Sequence, residues 1–261
     1  MSDIVIREVV SKRILTFSKP FSRFGVLPIG GRSTAIKLSD SSVWLLASTP
    51  LSDETKDSLN DFGPVKYVAL ADIEHTSFAK EYRLAYPEAK FFGPEGVSEK
   101  LGFKVFEWKA DGQNPMKTHA SDTLGSEIKA EYFGGFRNKD IAFLHVPTKT
   151  LVQADLVFNL PGNEQYSKSN SSPTNFLSYF ISFHPDSFFH KNLLYRLAER
   201  KSMAKSATVV DQWDFDRIIP CHGDVIETGG KSAWRRAFSY YFSDIEKGKL
   251  PSHSEWSKKA N

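Results

Sequence analysis

Short apolar runs alternate with helix-like segments between residues 65 and 108, and this alternation limits the possible folds more than any other feature of the chain. Strands are predicted where apolar residues form runs of about five residues, and helices are predicted between them. A β-α-β-α-β order of this kind predicts a sheet with helices packed on a face. The predicted strands are 65–70, 90–92 and 104–108, and the predicted helices are 77–85 and 94–100.

Predicted hairpins lie on both sides of this alternating region. The last third of the chain is predicted to be helical, apart from one short strand at 217–219. The order of strands, alternating β/α units, strands and a final β/α unit favours two sheets sandwiched between helices over a single doubly wound sheet. The hairpins are predicted at 34–47 and 140–154, and the apolar helical stripes at 188–197 and 234–245.

Length and composition limit the class of protein. The chain has 261 residues, 40% of them hydrophobic and 25% charged, which is ordinary for a globular protein and predicts one domain over 1–261. Within it, 1–27 is predicted to be an N-terminal extension and 247–261 a polar tail. No apolar run approaches about eighteen residues, so no membrane partner is expected. The formal net charge of +3 argues against nucleic acid. The single cysteine, Cys221, excludes an internal disulfide and predicts a cytoplasmic protein.

Polar residues of the metal-ligand type follow three of the predicted strands. Asp72, Glu74 and His75 follow the first of these strands, Asp155 follows the second and His222 follows the third. Carboxylates combined with imidazoles suit zinc, iron or manganese. Because strand ends form a rigid rim, this pattern predicts a metal site at the rim.

Five segments carry a family resemblance: Gly30-Gly31-Arg32-Ser33-Thr34, Glu74-His75, Tyr86-Pro87-Glu88-Ala89-Lys90, 150–159 and Pro220-Cys221-His222-Gly223-Asp224. Together with the order of elements, they resemble the metallo-β-lactamase fold, and more narrowly the DUF4336 branch of that superfamily. The resemblance extends over about residues 28–245. It implies an α/β (α+β) fold of four layers, an αββα sandwich.

The resemblance also implies which metal ligands remain. Active members of the superfamily have a His-x-His-x-Asp-His pattern at the first strand end, and the matching positions here are Leu70, Asp72, Glu74 and His75. The region 132–136 matches the family's next histidine and contains none. One divalent metal is therefore expected rather than two, with zinc favoured over iron or manganese. The expected ligands are Glu74, His75, Asp155 and His222.

Two residues are candidates for catalysis. His145 ends the predicted strand before the second hairpin turn, and across the hairpin it is predicted to face the same rim. An imidazole titrates near pH 6.5 and suits a general acid or base, although a hydrogen-bonded core histidine is the alternative. Asp72 is predicted to be either a ligand or a carboxylate that orients His75.

These residues lead to three hypotheses about function. The first is a metal-dependent hydrolase with a mononuclear site, acting on a small apolar ester, lactone or thioester, since 13% of the residues are aromatic. The second is a non-heme-iron enzyme that uses oxygen, because two histidines and a carboxylate also hold iron. The third is a non-catalytic binding protein on a decayed metallo-hydrolase scaffold. The aromatic stripe at 234–245 suits either the core or a dimer interface, so a homo-oligomer is also considered.

Overall fold

The architecture was analysed in a computed structural model that describes residues 3–258. Its strands and helices are numbered along the chain. The strands are β1 (Val5–Val10), β2 (Ile14–Lys19), β3 (Ser22–Arg23), β4 (Leu27–Pro28), β5 (Gly31–Lys37), β6 (Val43–Leu46), β7 (Val65–Ala69), β8 (Lys90–Pro94), β9 (Phe106–Trp108), β10 (Ile128–Phe133), β11 (Asp140–His145), β12 (Thr150–Gln153) and β13 (Arg217–Pro220). The helices are α1 (Asp53–Phe62), α2 (Ala79–Ala85), α3 (Val97–Leu101), α4 (Met116–His119), α5 (Asp122–Glu127), α6 (Asn163–Tyr166), α7 (Phe176–Phe180), α8 (Phe188–Arg196), α9 (Arg200–Asp211), α10 (Gly230–Ala237), α11 (Ser239–Glu246) and α12 (His253–Lys258).

Two sheets contain most of the strands. The larger has the order β1-β2-β5-β6-β7-β8-β9, antiparallel up to β6 and parallel from β6 to β9. The smaller has the order β10-β11-β12-β13, in which β12 and β13 are parallel. A short separate hairpin joins β3 to β4. Both predicted hairpins and the β-α-β-α-β order are confirmed.

The alternation of side chains along the strands builds four layers. On β6, Trp44 and Leu46 pack in the core between the sheets, where the Trp44 ring lies 5.0 Å from the Phe143 ring of β11. Val43 and Leu45 point to the other face and pack against α1, α2 and α3. The outer face of the smaller sheet packs in the same way against α8 to α11. The predicted αββα sandwich is therefore confirmed.

Both ends of the described chain belong to this sandwich. The predicted N-terminal extension 1–27 contains β1 and β2, which extend the larger sheet, and Phe17 of β2 is fully buried. In the predicted tail 247–261, Leu250 is buried and Trp256 packs against the helices of the smaller sheet. Residues 259–261 lie outside the described part of the chain. The N-terminal segment contributes Ile4, Ile14 and Phe17 to the buried core, whereas Leu250 is the buried apolar residue of the described part of the tail.

Several helices differ from prediction. The polar stretch 109–126, in which no helix was predicted, contains α4 and α5. The side chain of Ser121 caps α5 by accepting a hydrogen bond from the backbone amide of Leu124. The stripe at 234–245 is divided between α10 and α11, which meet at Phe238. Helix α9 lies in the region predicted to be helical but in neither of the two apolar stripes, since Ala204, Ser206 and Ala207 of its buried face are small. Within residues 3–258, none of the helices has the length and apolar character that crossing a membrane requires.

Candidate metal centre

Three strand ends bring candidate ligands together at one edge of the sandwich. His75 follows β7, Asp155 follows β12 and His222 follows β13. Because β12 and β13 are parallel neighbours, their carboxyl ends lie at the same edge. The larger sheet is joined to this edge by the amide of Ile141, which donates to the carbonyl oxygen of Ala71 at 2.9 Å. The expectation that these strand ends form a common rim therefore agrees with the fold.

The three side chains form a compact cluster, here called the three-ligand cluster: His75, Asp155 and His222. Nε2 of His75 lies 3.1 Å from Nε2 of His222, which lies 3.2 Å from Oδ1 of Asp155. One potential ligand atom from each residue lies within 4.8 Å of the others. Asp155 and His222 are buried and His75 is half-buried. Within residues 3–258, no other set of three histidine, cysteine or acidic side chains is brought this close.

Hydrogen bonds fix the protonation of both rings. Nδ1 of His75 lies 2.9 Å from Oδ2 of Asp72, and Nδ1 of His222 lies 2.7 Å from the carbonyl oxygen of Gly30. A carboxylate and a carbonyl oxygen only accept hydrogen bonds, so each Nδ1 carries a proton. In a neutral ring, Nε2 then has a lone pair. Two such lone pairs and a carboxylate oxygen converge on one point, which fits a bound cation.

The electrostatics of the cluster also favour a cation. Burial alone would lower the pKa of His75, but the carboxylates of Asp72 and Asp155 outweigh it and raise this pKa to about 10. Burial would raise the pKa of Asp155, but His75 and His222 outweigh it and lower the value. Burial, with repulsion from Asp72 and Asp155, raises the pKa of Asp140 well above its usual range. The site therefore concentrates negative charge that a proton or a metal ion neutralises.

Neighbouring groups hold the cluster in place. Nδ2 of Asn138 donates to Oδ2 of Asp155 at 2.5 Å. Gly30, which holds His222, has φ +69°, and a Cβ there would lie 1.8 Å from Oε1 of Gln165. A side chain at this position is therefore excluded by both backbone and space. Neither of these two interactions was predicted from the sequence. Gly30 was noted only as part of the Gly30-Gly31 pair, and nothing in the sequence singled out Asn138.

A buried arginine fixes the loop that carries His222. Nη1 of Arg32 donates to the carbonyl oxygens of Pro220 at 2.8 Å and Gly223 at 2.6 Å, on either side of the histidine. Its Nη2 lies 3.1 Å from Oε1 of Glu164. Arg32 is fully buried, so this pairing neutralises a charge inside the protein. Arg32 belongs to one of the segments that carry the family resemblance, but the sequence assigned it no role.

Glu74 lies outside the three-ligand cluster, although the sequence predicted it as a ligand. Its carboxylate is 2.5 Å from Nη2 of Arg23, and it is partly exposed. Asp72 lies in the position of the orienting carboxylate, which was one of the two roles expected for it. Of the four expected ligands, the structure therefore brings together His75, Asp155 and His222.

His145 does not lie at the rim, and its position corrects the expected catalytic role. It lies at the other end of β11 from Asp140, about 16 Å along the strand at the usual rise per residue. Its Nδ1 lies 2.7 Å from Oγ1 of Thr148, and its Nε2 lies 3.4 Å from Oε2 of Glu127. His145 was expected at the rim because the two ends of β11 were treated as one edge of the sheet, whereas they lie at opposite edges. His145 is the buried, hydrogen-bonded core histidine that the alternative described.

Two cavities open beside the cluster. The first has a volume of about 330 Å³ and is lined by His75, His222 and Phe21 among others. The second has a volume of about 280 Å³, and largely apolar side chains line it. The ion pair of Arg23 and Glu74 borders both cavities, as does His222. A ligand in either cavity would therefore contact the three-ligand cluster.

Comparisons with known proteins agree with this fold. No protein-family model and no curated protein matches the sequence. Among solved structures, a metallo-β-lactamase from Erythrobacter litoralis superposes with a TM-score of 0.59 and 12% identity, covering 93% of this chain and 98% of that chain. The metallo-β-lactamase FIM-1 from Pseudomonas aeruginosa in the mono-zinc form gives 0.58 and 10%, covering 93% and 96%. A metallo-β-lactamase from Pontibacter korlensis gives 0.56 and 12%, covering 91% and 98%. From its two facing sheets and these matches, the chain has the metallo-β-lactamase fold.

Proposed function

We propose that this protein is a metal-dependent hydrolase with a single metal bound by His75, Asp155 and His222. The observation that carries the proposal is the convergence of two imidazole Nε2 atoms and one carboxylate oxygen, with both Nδ1 protons already donated elsewhere. Three protein ligands with a position left for water are typical of catalytic zinc sites. FIM-1, which has the same fold, is known in a mono-zinc form, so the fold accommodates one metal.

Such a metal would lower the pKa of a bound water towards about 7 and polarise the oxygen of a carbonyl group. The residues of the chain itself orient the ligands. Asp72 and Gly30 hold the two rings through their Nδ1 protons, and Asn138 holds the carboxylate of Asp155. The ring of Phe158 packs edge-on against the ring of His222 at 5.0 Å, which limits the access of water to this ligand.

The proposed substrates are small apolar esters, lactones or thioesters. The cavities beside the cluster are lined by more apolar than polar surface, as expected for a small-molecule site. A hydrolysable carbonyl group at the cluster would then extend into one of these cavities. The nearly balanced charge of the chain, +3, supports a small molecule over a polyanion such as nucleic acid.

The ligand set favours one alternative, an iron enzyme that uses oxygen. Two histidines and one carboxylate hold Fe(II) with open positions in known enzymes. The two functions differ in what they consume: the hydrolase needs only water, whereas the iron enzyme consumes oxygen when it turns over.

The test is an activity screen of untagged protein reconstituted separately with zinc, manganese and iron. Esters, lactones and thioesters are offered, and oxygen uptake is recorded in parallel. We expect metal-dependent hydrolysis that falls at least about 100-fold in His222→Ala, because removing a ligand removes metal and activity together. A variant of an exposed acidic residue at the start of α1, Asp53→Asn, is the control. Bound metal without hydrolysis of any substrate would contradict the proposal, and oxygen uptake with iron alone would favour the alternative.

A further inference from the structure

Exposed large apolar side chains are concentrated around the second cavity. Among the described residues, and apart from Leu84 and Val146, they lie on or beside the β3–β4 hairpin, α7 and α8. Ordinary proteins expose single apolar residues, but a group of them at one place marks a site of interaction. We call four of them the apolar rim: Phe24, exposed by 87%, Phe176 by 76%, Phe180 by 63% and Phe189 by 43%.

The apolar rim is continuous with the wall of the second cavity. Phe24 lines that cavity directly, and so do Leu193 of α8 and Leu197, which follows this helix. Phe189 precedes Leu193 by four residues, so the two side chains lie on the same face of the helix. The apolar surface of α8 therefore extends from the cavity to the exposed rim.

Helix α7 is held against the hairpin, which also lines the cavity. The side-chain amide of Asn175, which caps α7, donates to the carbonyl oxygen of Val26 next to β4. Within α7, the rings of Phe176 and Phe180 contact each other at 5.1 Å. The rim therefore belongs to two elements that line the cavity, the hairpin and α8, and to α7, which is bonded to the hairpin.

The second cavity is lined by charges of both signs. Arg23 and Glu74, which line it, form an ion pair, and Asp155 belongs to the three-ligand cluster. Arg137 also lines this cavity, and among residues 3–258 no acidic side chain forms an ion pair with it. A molecule with an apolar chain and a polar end that Arg137 can bind matches this combination of surfaces. A protein partner seated on the rim would close the cavity that leads to the three-ligand cluster, so a substrate fits the position better than a partner.

We propose that the substrate is an amphiphile, whose long alkyl or acyl chain occupies the second cavity and extends over the apolar rim. The inference rests on the proposed hydrolase function, because it puts the carbonyl group of that substrate at the three-ligand cluster. Phe188 and Phe189 at the start of α8 are both exposed. Their exposure is explained if an apolar chain covers this surface during binding.

A binding experiment tests the chain site without any turnover. The full-length protein, first freed of metal with a chelator, is titrated with a fluorescent probe, dansyl-labelled undecanoic acid. We expect saturable binding that weakens about tenfold in Leu193→Gln and in Phe24→Ser, since each change removes one apolar contact with the chain. Leu84→Ser is the matched control, because Leu84 is equally exposed, 85%, but lies on α2. Thermal melting of each variant checks that it is folded.

A kinetic experiment links the chain site to the cluster. With the metal-loaded protein, kcat/KM for p-nitrophenyl esters is expected to rise at least about tenfold from acetate to octanoate, and the rise should disappear in Leu193→Gln. If the probe binds as expected but no ester is hydrolysed, the proposed hydrolase function is wrong and the amphiphile site stands. If esters are hydrolysed without regard to chain length and the probe binds all variants equally or not at all, the amphiphile inference is overturned and the hydrolase stands.

Discussion

Asp72 holds both the ring and the backbone of His75. Its Oδ2 accepts a hydrogen bond from Nδ1 of the histidine at 2.9 Å, and its Oδ1 accepts the backbone amides of Glu74 and His75, each at 2.7 Å. The carboxylate is fully buried, so no water replaces it. One side chain thus shapes the turn after β7 and presents Nε2 of His75 to the other two ligands.

The first prediction concerns this carboxylate. Asp72→Asn keeps the shape of the side chain but removes its charge, and it should weaken zinc binding by about 10- to 100-fold, as loss of a hydrogen-bonding partner of a ligand histidine does elsewhere. Competition with a chromophoric chelator measures the affinity. Asp53→Asn, at the exposed start of α1, is the control. Equal affinities for Asp72→Asn and the wild type would show that Asp72 does not orient the ligand.

The second prediction separates Glu74 from the ligands. Because its carboxylate pairs with Arg23 at the surface, Glu74→Gln should change zinc affinity by less than about fivefold, in keeping with the small free energy of exposed ion pairs. The same chelator competition applies, with His222→Ala as the comparison that loses binding. A loss in Glu74→Gln as large as in His222→Ala would mean that this carboxylate moves to the metal, as the sequence predicted.

The third prediction concerns the pH dependence of stability. Burial would raise the pKa of Glu164, but Arg32 outweighs it, together with hydrogen bonds from Arg7 and Ser18, and the pKa lies below the ordinary value of 4.5. A carboxyl group with a lowered pKa stabilises the fold above its unfolded pKa, and this contribution is lost as the pH falls through the folded value. The wild type should therefore lose stability below about pH 4.5, where the unfolded state begins to bind the proton.

Glu164→Gln tests this dependence. At pH 7 it should lower the free energy of unfolding by about 3 kcal/mol, because it leaves the buried guanidinium of Arg32 without its carboxylate. The difference from wild type should shrink as the pH falls below the unfolded pKa. Urea unfolding at several pH values measures it, and Glu227→Gln, which removes a more exposed partner of Arg7, is the control. A difference that stays constant with pH would contradict the assignment.

The fourth prediction concerns His145. Because its ring bonds to Thr148 and lies near Glu127 within the core, His145→Ala should lower the free energy of unfolding by about 1–3 kcal/mol. Metal content should be unchanged, since the residue lies at the other end of β11. Urea unfolding and elemental analysis of the same sample give both quantities. Loss of metal from a folded variant would return His145 to the candidate site.

The fold could be predicted because short apolar runs, which indicate strands, and apolar stripes, which indicate helices, recur along the chain. Continuous apolar runs on β6 and β11 indicated buried strands, and the order of elements then left few arrangements. The N-terminal segment was predicted as an extension because β1 and β2 pair onto β5, and only the assembled fold provides that sheet edge. The predicted helical region included α9 but no apolar stripe marked it, because Ala204, Ser206 and Ala207 of its buried face are small and give a weak periodic signal.

The site was harder to predict than the fold. His75, Asp155 and His222 were found because each follows a strand, and strand ends converge. Glu74 also follows a strand and His145 ends one, but position beside a strand does not determine where a side chain points. Glu74 turns to Arg23, and His145 points into the core. The supports missed by sequence analysis act through the backbone carbonyl of Gly30 and the amide of Asn138, which carry no pattern in the sequence.

Metal stoichiometry tests the central claim most directly. Untagged protein, purified without chelators and reconstituted with zinc, is analysed by elemental mass spectrometry beside His222→Ala. The account predicts about one equivalent of metal in the wild type, since the three ligands define one position, and little in the variant. Absence of bound metal from the wild type after reconstitution, or an equal content in folded His222→Ala, would contradict the assignment of His75, Asp155 and His222 as a metal site.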